Sequence, residues 1–262
     1  MAIGLFDSGI GGLSILREII KILPNRPYFY IADQSHGPYG PQSQDYIIER
    51  SCLLTEELLS LDCELIVVAC NTATGAAMAH LRQHYPIPFV GVEPYLNFHN
   101  KLGPGNHKLV ALMTPACGES EKYQNLKKIR DPQNQIEDYA CPQLAWPIEK
   151  AYQQGYSEVL IEEMKRELDP LKGQGFTHAI LGCTHYPLIA TLIENYLGLL
   201  TVSPGPSVAQ RVHQVLDSLP ERGEKIPAGK EFLPDHFFFQ STLSKNWQLL
   251  PFQHIEGAYY RP

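Results

Sequence analysis

Two cysteines, Cys70 and Cys183, stand in matching local patterns. Each follows a short apolar run that is typical of a buried strand, and each precedes a stretch with the spacing of a helix. A cysteine at the start of a helix lies where backbone N–H groups stabilise a thiolate, so we expect a lowered pKa for both thiols. Two such thiols on opposite faces of a carbon atom can invert it, because one removes a proton while the other returns one. The alternative is that both are buried cysteines that cap helices.

Polar residues beside the two cysteines suit this chemistry. Asn71, Thr72 and Thr184 are placed to donate hydrogen bonds to the carboxylate of a substrate and so to stabilise a carbanion. Asp7 follows the first apolar run, and His185 lies two residues after the second cysteine, so each could assist or position one thiol. An unassisted thiol titrates at about pH 8.5, so such partners are needed. Taken alone, Asp7 would instead be a helix cap, and His185 would be a residue bonded to the backbone.

The elements that must position these residues are short strands that alternate with helices. Apolar runs predict strands at 3–6, 28–32, 65–69, 89–92, 109–113, 136–140 and 177–181. Helical spacing predicts helices at 13–22, 46–61, 74–83, 119–129, 156–168 and 188–197. We expect a loop over 218–234 and a late strand at 237–239. The alternation predicts an α/β fold with parallel sheets and crossover helices.

The first and second halves of the chain resemble each other. LIVVACNTATGAA from Leu65 and THAILGCTHYPLIA from Thr177 share an apolar strand, a small residue, a cysteine and a helix start. Two such halves packed face to face place equivalent strand ends on opposite sides of one cleft, where ligands of parallel α/β sheets bind. We therefore expect Cys70 and Cys183 to face each other across that cleft.

Two turn-rich segments mark candidate crossings between the halves. Residues 100–107 contain Gly-Pro-Gly, and residues 203–206 read Ser-Pro-Gly-Pro. We predict a first domain from residues 1–97 and 208–262, and a second domain from residues 98–207.

The composition excludes several classes of function. The 262 residues carry 21 Lys and Arg against 28 Asp and Glu, a net charge of −7, whereas non-specific binding of nucleic acid needs clustered cations. No apolar stretch is long enough to span a membrane, and the N-terminus lacks the basic and apolar regions of a secretory signal. We therefore expect a cytoplasmic protein that binds neither nucleic acid nor membrane. The six cysteines form no C-x-x-C pair and no zinc-like cluster, so we expect neither disulfides nor a metal.

Four motifs, in this order, resemble those of the glutamate racemases, which are cofactor-independent enzymes of the aspartate/glutamate racemase superfamily. They are DSGIGGLS from Asp7, PYG from Pro38, ACNTAT from Ala69 and LGCTHYP from Leu181. The resemblance implies two pseudo-symmetric parallel-sheet domains, Rossmann-like or flavodoxin-like, with the active site in the cleft between them. The glycine-rich first motif could also cradle phosphate, but it lacks the lysine of a P-loop and a complete G-x-G-x-x-G.

The resemblance also implies roles for individual residues. Cys70 and Cys183 would be the two catalytic bases, supported by Asp7 and His185. The substrate would be bound by Asp7, Ser8, Tyr39, Gly40, Asn71, Thr72, Thr114, Thr184 and His185. Glu149, in AWPIEKAY, is a loose match to an acid of the second domain. The implied reaction interconverts L- and D-glutamate without a cofactor and would supply D-glutamate for peptidoglycan, in a protein that could form a homodimer.

One position departs from the family pattern. After the fifth strand the family has two threonines three residues apart, whereas this chain has Thr114 and Cys117. A thiol is a much weaker hydrogen-bond donor than a hydroxyl, so Cys117 could change the affinity or the side-chain preference. Alternatively, Cys117 packs behind the loop, or Ser120 supplies the missing hydroxyl. The departure keeps open a racemase of aspartate or another acidic amino acid.

Two other classes of function remain open from the sequence. Cys183 and His185 could serve a cysteine hydrolase, which would form an acyl-enzyme and would not need Cys70. A catalytically degenerate homologue could bind an amino acid without converting it, although the presence of both cysteines speaks against this.

Overall fold

The computed structural model describes residues 2–156, 158–220 and 233–260. The strands are β1 Ala2–Asp7, β2 Tyr28–Ala32, β3 Cys63–Val68, β4 Phe89–Gly91, β5 Leu109–Met113, β6 Ile136–Ala140, β7 His178–Leu181, β8 Leu200–Val202, β9 His236–Ser241 and β10 Trp247–Pro251. The helices are α1 Leu13–Ile22, α2 Gln44–Leu59, α3 Asn71–His84, α4 Pro115–Glu119, α5 Glu121–Arg130, α6 Ala145–Gln154, α7 Glu158–Leu168, α8 Ala190–Leu197, α9 Gly205–Asp217 and α10 Gln253–Glu256. Short 3-10 turns cover Leu96–Lys101, Asp169–Leu171 and Tyr186–Ile189.

The strands form two sheets with the same internal order. The first sheet has the order β10-β9-β2-β1-β3-β4, and the second has the order β6-β5-β7-β8. The four strands β2-β1-β3-β4 therefore correspond one to one with β6-β5-β7-β8, and all of their pairings are parallel. The predicted parallel α/β fold with two similar halves is confirmed.

The C-terminal part of the chain returns to the first sheet. β9 pairs in parallel with β2, and β10 pairs with β9 in antiparallel fashion. β9 contains the strand predicted at 237–239, and α9 packs against α1. This arrangement agrees with a first domain made of residues 1–97 and 208–262, and those boundaries stay a prediction.

The central strands β1, β2, β5 and β7 are buried along their whole length, because both faces of the sheets are covered there. All residues of β1 are buried. Its adjacent residues Leu5 and Phe6 point to opposite faces of the sheet and belong to two different apolar clusters. The cluster that contains Leu5 also includes Val110 and Leu181 of the second sheet. Burial of such a side chain contributes about 1.5–3 kcal/mol, so this cluster holds the two sheets together.

Five predicted helices differ from the structure by two or three residues at their N-terminal ends. The helix predicted at 119–129 begins at Glu121 as α5, because Ser120 adopts an extended conformation between α4 and α5 and accepts the N–H of Tyr123. The helix predicted at 188–197 begins only at Ala190, after the 3-10 turn Tyr186–Ile189. Cys183 therefore does not stand at the start of an α-helix, contrary to expectation.

The sequence patterns did not reveal α6, α9, α10, β8 or β10. Residues 203–206, a predicted crossing, follow β8 of the second sheet and contain Gly205, the first residue of α9. Proline is accepted in the first turn of a helix, where a backbone N–H has no partner, so Pro206 does not end the element. The predicted loop over 218–234 is confirmed at 218–220 and 233–234, and residues 221–232 lie outside the described residues.

Candidate active site

Asp7 ends β1 and organises the loop that leads to α1. Its side chain is fully buried, and its carboxylate accepts the N–H groups of Ser8, at 2.7 Å, and Gly12, at 2.5 Å. The hydroxyl of Thr184 donates to the same carboxylate at 3.1 Å from the second half of the molecule. Burial raises the pKa of Asp7 above its usual value, although the nearby charge of His185 opposes this. One carboxylate thus joins the ends of β1 and β7.

Cys70 lies directly before α3 and caps that helix. Its sulfur accepts the N–H of Ala73 at 3.4 Å, and its thiol lies 3.8 Å from the hydroxyl of Ser8. Burial raises the pKa of Cys70 well above its usual value, and the negative charge of Asp7 raises it further, whereas the Ala73 N–H lowers it. The expected lowering of this pKa is therefore wrong, because burial and Asp7 outweigh the helix. Cys70 is held in its protonated form and can donate a proton.

Cys183 has a different set of partners. Its sulfur lies 3.8 Å from Nδ1 of His185, and Nε2 of His185 lies 2.8 Å from Oε2 of Glu149. Burial lowers the pKa of His185, but the interactions with Cys183 and Glu149 outweigh burial and leave that pKa well above its usual value. A protonated imidazole donates through both nitrogens, so it can stabilise a thiolate at Cys183 and a carboxylate at Glu149 together.

Glu149 is a buried carboxylate that is held by both halves of the molecule. Burial raises its pKa, but hydrogen bonds from His185, the N–H of Ile10 and the amide of Gln34 lower that pKa below its usual value. The Ile10 N–H donates to Oε2 at 2.9 Å, and the Gln34 amide donates to Oε1 at 2.5 Å. The pKa shifts of Glu149 and His185 agree, because a carboxylate and an imidazolium each favour the charged form of the other.

The glycines of the first loop make room for this ion pair. A Cβ atom on Gly9 would lie 2.2 Å from Oε2 of Glu149, and one on Gly11 would lie 2.5 Å from Nδ1 of His185. Side chains at these positions would therefore displace the pair. Since the Ile10 N–H already binds Glu149, this loop is occupied by a carboxylate of the protein itself, which argues against a phosphate cradle.

Two predicted substrate-binding residues form the first turn of α3. Asn71 donates through its amide nitrogen to the carbonyl of Val92 at 3.5 Å, and its Oδ1 is buried without a hydrogen-bond partner among the described residues. The hydroxyl of Thr72 lies 3.1 Å from the hydroxyl of Thr114, which belongs to the second half. Buried polar atoms normally have partners, so the Oδ1 atom of Asn71 is available for a ligand.

Tyr39 and Gly40 belong to the loop after β2. Tyr39 is buried, and its hydroxyl donates at 2.5 Å to Asp33, which pairs with Arg50 at 2.9 Å. A Cβ atom on Gly40 would lie 3.9 Å from the Cβ of Thr114, so this loop adjoins the pair of threonine hydroxyls. The Tyr39 hydroxyl is engaged within the protein, and any contact with a substrate would involve the ring or the backbone.

The predicted site residues thus fall into two neighbouring groups. One group surrounds Asp7 and contains Ser8, Cys70, Cys183, Thr184 and His185. The other group surrounds Thr114 and contains Tyr39, Gly40 and Thr72, with Asn71 beside it in α3.

A protein-family model matches most of the chain and identifies its family. The model described as Asp/Glu/Hydantoin racemase matches residues 3–212. The chain belongs to this racemase family. The matched range includes both cysteines and all predicted substrate-binding residues, and the chain is an isomerase of the amino-acid racemase type.

Similar racemases cover most of the chain. A glutamate racemase from Ectopseudomonas mendocina is 37% identical over 217 residues, which are 82% of this chain and 81% of that protein. A glutamate racemase from Listeria monocytogenes is 30% identical over 264 residues and 97% of each protein. The crystal structure of Escherichia coli glutamate racemase in complex with L-glutamate and the activator UDP-MurNAc-ala has a TM-score of 0.77 and 27% identity, and it covers 92% of this chain and 88% of that chain.

Cys117, where the sequence departs from the racemase pattern, is packed inside the second half. It is buried in an apolar cluster with Met113, Tyr123 and Ile180, and burial raises its pKa to about 12. The hydroxyl of Ser120 donates to the Cys117 carbonyl at 2.7 Å and accepts the Tyr123 N–H at 3.2 Å. Both positions are used within the protein, which supports packing behind the loop over contact with a ligand.

Two residues of this site were not predicted from the sequence, and a third, Glu149, was only a loose match. Gln34, after β2, and Ser241, at the end of β9, form a hydrogen-bonded chain with Glu149. A polar residue at the carboxyl end of a predicted strand was the available signal for Gln34. Ser241 had no such signal, because the pairing of β9 with β2 joins distant parts of the chain.

The described residues contain no metal-binding cluster and no membrane-spanning helix. In that part of the chain, no group of three or more His, Cys, Asp or Glu side chains is placed to hold a metal ion. No helix within the same residues is both long and apolar enough to cross a membrane.

Proposed function

We propose that this protein interconverts L- and D-glutamate by a two-base mechanism without a cofactor. The observation that carries the proposal is the placement of two buried thiols at equivalent strand ends, each beside a different ionisable group. The similar proteins named glutamate racemase support glutamate as the substrate, because they cover most of the chain.

The proposed proton transfer uses the different partners of the two thiols. A thiolate at Cys183, beside protonated His185, removes the proton from the α-carbon and becomes a thiol. Cys70, held as a thiol beside Asp7, gives its proton to the opposite face of the carbanion and becomes a thiolate. The product is the other enantiomer, and the two cysteines have exchanged protonation states. Proton exchange through Asp7 and His185 restores the starting state, and the reverse reaction uses the same groups in the opposite order.

The surroundings of the thiols suit both charged groups at the α-carbon of an amino acid. The buried Oδ1 of Asn71 is an acceptor that fits an α-ammonium group. The N-terminus of α3 and the hydroxyl of Thr72 are donors for a carboxylate, and they stabilise the negative charge that develops when the proton leaves. The hydroxyl of Thr184 already donates to Asp7, so a contact between Thr184 and the substrate would use its backbone. Thr114 and the loop with Gly40 lie beside this group and are placed to bind the side-chain carboxylate.

The cellular role belongs to the same proposal and rests on the family resemblance. We infer that D-glutamate is the physiological product and that it is used for peptidoglycan. A cytoplasmic location and a homodimer remain predictions.

The test is a chiral assay of the purified protein after dialysis against EDTA. Each enantiomer of glutamate should convert to an equal mixture of both. Each enantiomer of aspartate should react at least about tenfold more slowly, because one missing methylene group is worth about 1–3 kcal/mol. A faster reaction with aspartate, or activity that returns only with added metal or pyridoxal phosphate, would overturn the proposal.

A further inference from the structure

We propose that Gln34 is a positioning residue for the Cys183 side of the site, and that it acts by holding Glu149 against His185. The inference rests on the proposed racemisation. It assigns to the first sheet a part in the acid–base chemistry of the second, through a hydrogen-bonded chain that runs from Ser241 to Cys183.

The chain begins at the edge of the first sheet. Ser241 ends β9 and is paired with Ala32 at the end of β2, so its hydroxyl lies beside Gln34. That hydroxyl donates to Oε1 of Gln34 at 2.5 Å. Because the amide oxygen is engaged in this way, the amide nitrogen must point to the other side, where it donates to Oε1 of Glu149 at 2.5 Å.

Gln34 fixes the rotation of the Glu149 carboxylate. Oε2 of Glu149 accepts both the Ile10 N–H, at 2.9 Å, and Nε2 of His185, at 2.8 Å, while Oε1 accepts the Gln34 amide. Without Gln34, the buried Oε1 loses this donor and the carboxylate can turn towards other donors. His185 then loses part of its ion pair, and its other nitrogen, which faces Cys183 at 3.8 Å, is less often protonated.

Other ionisable groups also face this cluster. Asp7 and Tyr30 come from the first half, and Tyr152 comes from α6. A change at Gln34 leaves all three in place. A change in the protonation of His185 in a Gln34 variant is therefore due to the lost hydrogen bond between Gln34 and Glu149.

The first test measures His185 directly and does not depend on turnover. Nuclear magnetic resonance of isotope-labelled histidine gives the protonation of His185 against pH in the parent, in Gln34→Leu and in Ser241→Ala. We expect the imidazole to lose its proton at lower pH in Gln34→Leu, with a smaller shift in Ser241→Ala. Gln44→Leu is the control, because Gln44 is exposed at the start of α2 and its amide contacts the carbonyl of Ala76. An unchanged titration in both test variants would overturn the inference.

The second test asks which thiol is affected. Exchange of the glutamate α-proton with solvent is measured with Gln34→Leu added to Cys70→Ser, where only Cys183 can act, and to Cys183→Ser, where only Cys70 can act. We expect the exchange that depends on Cys183 to fall about tenfold and the exchange that depends on Cys70 to change less than about twofold. Equal losses in both backgrounds would show a general structural effect and overturn the inference. Absence of racemisation by the parent protein would instead overturn the proposed function.

Discussion

The two cysteine sites occupy equivalent places but differ in their surroundings. Cys70 follows β3 and Cys183 follows β7, which hold the same position in their sheets. Cys70 caps α3 and adjoins Asp7, whereas Cys183 precedes a 3-10 turn and adjoins His185. The shared fold thus determines where the sulfur atoms lie, and the local loops give each sulfur a different ionisable partner.

This difference suits a reaction that needs an acid and a base at the same moment. Two identical sites would favour the same protonation state, whereas sites with opposite partners favour a thiol at one and a thiolate at the other. Asp7 disfavours a second negative charge at Cys70, whereas Cys183 lies beside His185, whose raised pKa favours the imidazolium. The predictions below test this contrast.

The largest effect is expected from loss of either thiol. Cys70→Ser and Cys183→Ser should each lower racemisation by at least about a thousandfold, because a serine hydroxyl is a very weak acid and base at neutral pH. Rates of glutamate racemisation measure this, and Cys52→Ser, at a partly buried cysteine of α2, should stay near the parent rate. Near-normal turnover by either site variant would show that the two-thiol assignment is wrong.

A smaller effect, confined to the Cys183 side, is expected from Glu149→Gln. Loss of the carboxylate charge lowers the pKa of His185, so the imidazolium is lost at lower pH. The alkaline limb of kcat should move to lower pH, and the rate at neutral pH should fall about 10- to 100-fold. The exposed Glu162→Gln on α7 is the control. An alkaline limb of kcat at the same pH as in the parent protein would contradict the role of Glu149.

Glu149→Gln should also show over which pH range the Glu149–His185 ion pair stabilises the fold. His185 has a raised pKa, so its contribution is complete below its unfolded pKa of about 6.5 and is lost as pH rises through the folded value. Glu149 has a lowered pKa, so its contribution is present above about 4.3 and is lost as pH falls through the folded value. Glu149→Gln should therefore lower the free energy of unfolding most between about pH 4.3 and pH 6.5, where both contributions are complete, by about 3 kcal/mol. Urea unfolding across pH would measure this, and a loss independent of pH would argue against the charged pair.

The smallest effect is expected at Cys117, outside both thiol sites. Cys117→Thr would place a hydroxyl in an apolar cluster, so the free energy of unfolding should fall by about 1–3 kcal/mol. The KM values for glutamate and aspartate should stay within about twofold of the parent, which corresponds to about 0.4 kcal/mol. Steady-state kinetics would decide this, and a tenfold lower KM for glutamate would place residue 117 in the ligand site.

The sequence predicted the features that depend on local patterns. Apolar runs and helical spacing identified the parallel sheets, and the repeated strand–cysteine–helix pattern located Cys70 and Cys183 at equivalent strand ends. Helix α9 was missed, because Gly205 and Pro206 at its start are typical of turns as well as of a first helical turn.

The protonation of the site could not be predicted in the same way. The sequence shows a cysteine before a helix, but it does not show that Cys70 is buried beside Asp7, which reverses the direction of the pKa shift. The link from Gln34 to Glu149 crosses from one half of the molecule to the other, and it depends on a close approach that only the folded chain creates.

The most direct test of the account is the position of the isotope label early in the reaction. The protein is incubated with L-glutamate in D2O, and both enantiomers are separated at low conversion and analysed for deuterium at the α-carbon. Two thiols on opposite faces predict that D-glutamate carries deuterium while the remaining L-glutamate retains protium, because one thiol removes hydrogen and the other delivers deuterium from solvent. D-glutamate that retains the original protium, or L-glutamate labelled as fast as the product, would contradict the two-base account.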